Sequence, residues 1–305
     1  MNNWKDSVLD SSVINDKEFS TDEFGILNCK VENSVAYEFH QTHTKGAFLR
    51  KFEKQKYHQV NWETPYYKRV FDDFLDGKDF NNKVALDLGC GDGRFTEYLL
   101  HKGYEKIVCV DFDYRLLVSL SEFAEQNEYS EKLLLICTDI SNLPLKEDAF
   151  DLILSIRTLY YLNEKYEKAI KYVNSLLKKD GVLIISDPNM EGFILRALVF
   201  DSLGNALQSF ENRKFKEVQA ETDVWFRTFD EKELTEIYLK SGFTIEDKHG
   251  ISMFHNLLRV SQLRGNISEL EIENNEHRIK KMFDHLHDYG HLFKDVIWKL
   301  QKQIV

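Results

Sequence analysis

Residues Val84 to Phe95 read VALDLGCGDGRF, an apolar run that breaks into a glycine-rich loop and resumes as an amphipathic segment. The pattern predicts a strand, a tight turn and a helix. Val84–Leu88 can bury both faces, and Arg94–Lys102 carries helical spacing. Between them, glycine at 89, 91 and 93 tolerates positive φ and lets a ligand approach the backbone without a Cβ in the way. A dinucleotide loop would need a third glycine where Arg94 stands, and a phosphate-cradling P-loop would need a lysine that is absent. Instead an acid, Asp87, precedes the loop, which suits a cationic ligand better than a pyrophosphate.

Outward from this stretch, short apolar runs alternate with longer amphipathic ones. Strands are predicted at Lys106–Asp111, Lys132–Thr138, Phe150–Ile156, Val182–Asp187 and Phe243–Lys248, and helices at Tyr114–Gln126 and Glu164–Lys179. Strands apolar on both faces and separated by helices indicate a parallel sheet covered on both sides. An earlier helix has Thr64 as its cap and Pro65 in its first turn, with Tyr67, Val70, Phe71 and Phe74 on one face before Gly77 ends it. Asp230 and Glu233 form a capping box for the helix that precedes Phe243. The C-terminal stretch Lys294–Gln301 fits an amphipathic helix by spacing and a strand by residue type, and is read as a strand. Two connections are too long for turns, 189–229 and 251–290.

The D-x-G-x-G-x-G series at 87–93 resembles motif I of class I S-adenosylmethionine-dependent methyltransferases, and the similarity continues at family spacing over about residues 80–250. It implies an α/β, Rossmann-like doubly wound sheet of seven strands, the last antiparallel and beside the fifth, with helical lid insertions. It also implies the donor, S-adenosyl-L-methionine, and a site. Asp87, Gly89, Cys90, Gly91 and Gly93 would form the loop. Asp111, which ends the second strand, would bind both ribose hydroxyls, and Phe112 would lie on the adenine face. Asp139 would accept from the adenine amino group, beside the backbone N–H of Ile140. Ser155 and Arg157 would serve the methionine end. Leu177-Lys178-Lys179-Asp180-Gly181 resembles the turn that opens the fifth strand, with Lys-Asp where Pro-Gly is usual.

The domain is expected over 61–305, with the two insertions and residues 1–60 forming a lid over a small acceptor. Phe193, Phe200, Phe210, Phe215, Trp225 and Phe226 would make that acceptor apolar or aromatic, unless they only pack the lid onto the domain. An oxygen or nitrogen acceptor follows, and a hydroxyl would need a base. His40, His43, His58, Tyr160 and Tyr161 are the candidates, none of them distinguished. Cys90 reads as a small loop residue.

With 40 Lys and Arg against 51 Asp and Glu the chain carries a formal charge of −11, which disfavours nucleic acid as a partner. The basic run Lys45, Arg50, Lys51, Lys54 and Lys56 reads as a solvated face, and His285, His287 and His291 as a solvated helix end, so no metal is expected. An RNA methyltransferase and an inactive cofactor-binding partner subunit stay open as alternatives, and so does an oligomer. No apolar run approaches a membrane span, and three of four cysteines sit in or beside apolar runs, so a reducing cytoplasm is the expected compartment.

Overall fold

The computed structural model describes residues 4–28, 59–216, 225–252, 254–289 and 293–303. In chain order the helices are α1 (Trp4–Val8), α2 (Ser11–Asp16), α3 (Gln59–Phe74), α4 (Thr96–His101), α5 (Tyr114–Gln126), α6 (Tyr166–Leu176), α7 (Met190–Phe200), α8 (Leu203–Asn212), α9 (Glu231–Lys240), α10 (Phe254–Leu263) and α11 (Glu269–Tyr289). The strands are β1 (Ser20–Thr21), β2 (Ile26–Asn28), β3 (Ala85–Leu88), β4 (Ile107–Asp111), β5 (Leu133–Cys137), β6 (Phe150–Ile156), β7 (Leu177–Pro188), β8 (Lys214–Lys216), β9 (Trp225–Arg227), β10 (Phe243–Ser252) and β11 (Phe293–Lys302).

Among the described residues nine strands form one sheet in the order β1-β2-β5-β4-β3-β6-β7-β11-β10. From β2 to β7 all neighbours are parallel, whereas β11 runs antiparallel to both β7 and β10. Apolar residues alternate between two covering layers. Leu86, Val108, Ile136, Ile153 and Ile185 face Ile170 and Val173 of α6. Ala85, Ile107, Leu135, Leu154 and Ile184 face Tyr67 and Phe71 of α3 and Leu117 of α5. This two-sided burial is why β5 can read LLLIC without a polar residue. Side chains fix the helix starts: Asp113 accepts from Arg115 N at the head of α5, and Asp230 accepts from Glu233 N at the head of α9.

The predicted strands and the antiparallel seventh all form, and three readings need correction. The sheet has nine strands, not seven, because residues 20–28 add β1 and β2 outside β5. Residues 4–28, read as part of a lid, therefore extend the sheet edge. They are anchored there by Asp10 N on Pro144 O and by Lys146 N on Val8 O, each 2.9 Å. A three-residue strand such as Ile26–Asn28 shows no alternation to detect. Lastly, α3 is already helical at Gln59, so Pro65 lies inside it, not in its first turn.

Both long connections stand on the edge where the parallel strands end. Asn189 N donates to Lys294 O at 2.9 Å, and Met190 N to Phe229 O at 2.9 Å, so the base of 189–229 closes beside the first residues of β11. Helix α7 crosses that point so tightly that a Cβ at Gly192 would come within 2.0 Å of Phe293 O. The second connection packs α11 on α3, with the Trp62 and Phe283 rings edge to face at 5.5 Å and Tyr66 Oη donating to Asp284 at 3.0 Å. No helix among the described residues is long and apolar enough to cross a membrane.

Trp298 of β11 is fully buried against Tyr238, with ring centroids 5.4 Å apart. Replacing it with alanine should cost about 3–5 kcal/mol in urea unfolding. Truncation after Gly290 should be worse, leaving one edge of β7 and the whole of β10 unpaired and the protein insoluble or molten. A soluble truncate with a cooperative melt would contradict this role of β11.

Candidate active site

The loop after β3 is held to β4 by two backbone bonds, from Gly89 N and Cys90 N to Val110 O at 2.8 and 3.0 Å. Its glycines serve different ends. At Gly89 (φ +81°) a Cβ would collide with the Thr158 side chain at 2.1 Å, so this glycine admits the loop that follows β6. At Gly91 (φ +58°) a Cβ would meet nothing within 4 Å, so this backbone borders open space, as ligand approach requires. Gly93 packs on Leu120.

Asp111, at the end of β4, is buried. Its Oδ2 accepts from Gly91 N at 2.8 Å and its Oδ1 from Asp113 N at 2.9 Å. The carboxylate thus sits directly behind the open face of the loop, with both oxygens oriented by backbone donors. An ionised carboxylate offers about four acceptor positions. Phe112 follows, half-buried. At the end of β5, Asp139 caps the short turn Ile140–Asn142 by accepting from Ser141 N at 2.8 Å and Ser141 Oγ at 2.6 Å. Gly91, Asp111, Phe112, Asp139 and Ile140 therefore line up along the ends of three adjacent strands, and this set fits a nucleoside with a vicinal diol.

Other predicted residues act behind that line. Asp87 is fully buried and accepts from Thr96 Oγ1 at 2.7 Å, bracing β3 against the start of α4. Burial, with Asp111 nearby, raises its carboxyl to about 7. Ser155 is also buried and donates to Leu88 O at 3.2 Å, tying β6 to β3. Burial pushes the Cys90 thiol well above its ordinary value, which suits a packing residue.

Arg157 stands in a charged cluster that the sequence reading missed. Its guanidinium is 3.7 Å from Glu63 and 3.9 Å from Asp295, and Lys294 stands 3.3 and 3.6 Å from the same two carboxylates. Glu63, Lys294 and Asp295 are all buried. One signal was present: Glu63 falls four residues before Tyr67 on the apolar stripe of α3, where an acid needs a partner.

The base candidates fare differently. His58 lies outside the described residues, as do His40 and His43. Tyr160 is buried, its ring stacked 4.5 Å from Tyr161 and 5.1 Å from Phe226, and burial raises its hydroxyl to about 12, so it is no base near neutrality. Phe193, Phe215 and Phe226 pack on one another at 4.8–5.4 Å and are buried, which makes them the core of the insertion and not an acceptor surface.

The raised Asp87 carboxyl has a consequence for stability. The folded state holds a proton at this group that the unfolded state, at 3.8, has released. Between pH 4 and about 7 stability should therefore fall as pH rises, by up to about 4 kcal/mol for this group. Asp87→Asn should flatten that part of the profile in urea unfolding, while Asp187, raised to about 7 by burial between Tyr166 and Tyr238, keeps its own share. An identical slope in wild type and variant would refute the assignment.

Residues 86–185 match the methyltransferase domain family. An uncharacterized protein of Methanocaldococcus jannaschii is 34% identical over 127 residues, covering 41% of this chain and 50% of its own. The ribosomal protein L11 methyltransferase of Shewanella pealeana is 30% identical over 114 residues, covering 37% and 36%. The chain thus spans half or less of the curated relatives it matches. Among solved structures, the 1,6-didemethyltoxoflavin-N1-methyltransferase of Burkholderia thailandensis, with its substrate and S-adenosylhomocysteine bound, superposes with a TM-score of 0.52 at 17% identity, covering 91% of this chain and 95% of that one.

Proposed function

We propose that this chain, whose residues 86–185 match the methyltransferase domain family, is a class I S-adenosylmethionine-dependent methyltransferase that transfers a methyl group to an oxygen or nitrogen of a small-molecule acceptor. The observation that carries the reading is the open face of Gly91 backed by the Asp111 carboxylate. S-adenosylmethionine supplies an already activated methyl group on a sulfonium, so the protein's contribution is mostly alignment.

The residues divide that work. Asp111 takes the ribose diol through charge-assisted hydrogen bonds, and the N–H bonds from Gly91 and Asp113 hold its oxygens in place beforehand. Phe112 covers one adenine face, Asp139 accepts from the adenine amino group, and Ile140 offers its N–H. Asp87 and Ser155 keep the loop in register without touching ligand. The acceptor comes from the side of β6, β7 and β11, where both insertions rise and can exclude water. A small acceptor is supported by that cover on the ligand edge and by the acidic balance of the chain.

Titration calorimetry with S-adenosylhomocysteine tests the cofactor site. Wild type should bind, and Asp111→Ala should lose charge-assisted bonds worth about 1.5–3 kcal/mol each, weakening affinity at least about tenfold. Equal affinity in the two proteins would remove the ribose role. No binding by wild type would remove the reading itself.

A further inference from the structure

Three elements distant in sequence deliver charge to one buried place at the ligand edge: α3 with Glu63, the end of β6 with Arg157, and the start of β11 with Lys294 and Asp295. Arg94, just after the glycine loop, joins them through α3, its Nε donating to Thr64 Oγ1 at 2.9 Å and its guanidinium 5.1 Å from the Tyr67 ring. Tyr67 Oη in turn donates to Asp295 at 3.0 Å. The ion pairs themselves join two cations, Arg157 and Lys294, to two carboxylates, Glu63 and Asp295, where burial penalises any uncompensated charge.

These charges differ in how they are bonded and in how far they are exposed. Lys294 is buried between both carboxylates, with its side chain 4% exposed. Arg157 sits at 3.7 and 3.9 Å from the same groups, beyond hydrogen-bond length, so its forked donors are held electrostatically but directed to neither carboxylate. Its side chain is 31% exposed, against 0% for Glu63 and 1% for Asp295, so it is the accessible head of the cluster. Among the described residues Arg94 Nη2 and Asp295 Oδ1 are both buried with no hydrogen-bond partner, so the cluster leaves an acceptor as well as a donor unmet. Arg157 is also held at φ +59°, a left-handed conformation that a side chain adopts at a cost. Burial, together with the neighbouring Arg157, pushes both Lys294 and Arg94 below their ordinary values, whereas Asp295, Tyr160 and Glu63 raise Arg157 despite its burial and keep that head charged.

We propose that this cluster recognises an anionic group, a carboxylate or phosphate, on the methyl acceptor, and that Arg157 is the specificity-determining residue that meets it. The proposal rests on the methyltransferase reading above. Position separates the two ligands. Gly91, Asp111 and Asp139 occupy the ends of β3, β4 and β5, whereas Arg157 follows the end of β6 and Lys294 and Asp295 stand at the start of β11, on the other side of the boundary where strand order reverses. A planar guanidinium matches a carboxylate or phosphate by a paired set of N–H donors, which a neutral isostere cannot reproduce. Glu63, Lys294 and Asp295 act as positioning residues that fix the Arg157 head.

The test uses the full chain saturated with S-adenosylhomocysteine and titrated with sodium benzoate, inorganic phosphate and neutral benzamide. Wild type should bind at least one of the two anions saturably and benzamide not at all. Arg157→Gln should weaken anion binding at least about tenfold, and Arg157→Lys should recover part of it, both with S-adenosylhomocysteine affinity unchanged. Two variants guard against a folding defect in one of them, and a thermal melt of each reports it. Absence of anion binding by wild type would overturn the proposal, as would equal anion binding in Arg157→Gln. Loss of S-adenosylhomocysteine affinity in Arg157→Gln would also overturn it, by assigning the guanidinium to the cofactor's own carboxylate. Failure of this proposal leaves wild-type S-adenosylhomocysteine binding intact, and so stays distinct from failure of the methyltransferase reading.

Discussion

Strand β11 enters the sheet against the direction of its neighbours, pairing Asp295 with Pro188 and Val296 with Asp187 on one side and Gly250 with Val296 on the other. Reversal has a geometric consequence. The first residues of β11 lie where the parallel strands end, so Lys294 and Asp295 arrive at the ligand edge from a position more than a hundred residues past β7. The base of the 189–229 insertion bonds to the same place, through Asn189 N to Lys294 O. Helix α3 then supplies Glu63 from above. One pairing choice thus gathers the cluster, the insertion and the last strand at one edge.

That edge carries two kinds of electrostatics. Over β3 to β5 the polar groups are acids braced by backbone donors, Asp111 above all, which suits hydroxyls and a cationic sulfonium. Over β6 and β11 buried ion pairs hold the Arg157 guanidinium, the partly exposed cation of that edge. A donor that bears positive charge and an acceptor that bears negative charge would be separated by this arrangement and brought together at the boundary between β3 and β6. Ser155 and Thr158 keep the two halves in contact, the first through Leu88 O and the second by packing where Gly89 leaves room.

Much of this was legible in the sequence, for physical reasons. Strands buried on both faces, such as Leu133–Cys137, announce themselves as unbroken apolar runs, and the loop at 89–93 by glycines that only a special backbone needs. The strand identity of Lys294–Gln301 followed from β-branched and aromatic content despite its helical spacing. The edge strands β1 and β2 were not legible, because two or three residues carry no period. Nor was the cluster: Glu63 and Lys294 are 231 positions apart, and only the fold makes them neighbours. The aromatics of 189–229 misled for a related reason, since composition cannot tell a ring that lines a cavity from one that fills a core, as Phe215 and Phe226 do.

The central claim is that the nucleoside of the cofactor occupies the ends of β3, β4 and β5, and leaves β6 and β11 to the acceptor. Hydrogen–deuterium exchange with and without S-adenosylhomocysteine reads this directly, because bound ligand protects the amides it covers. The account predicts protection at 89–93, 111–113 and 139–141, with 293–296 unchanged. Protection centred instead where α11 packs on α3, around 61–69 and 276–284, would contradict it.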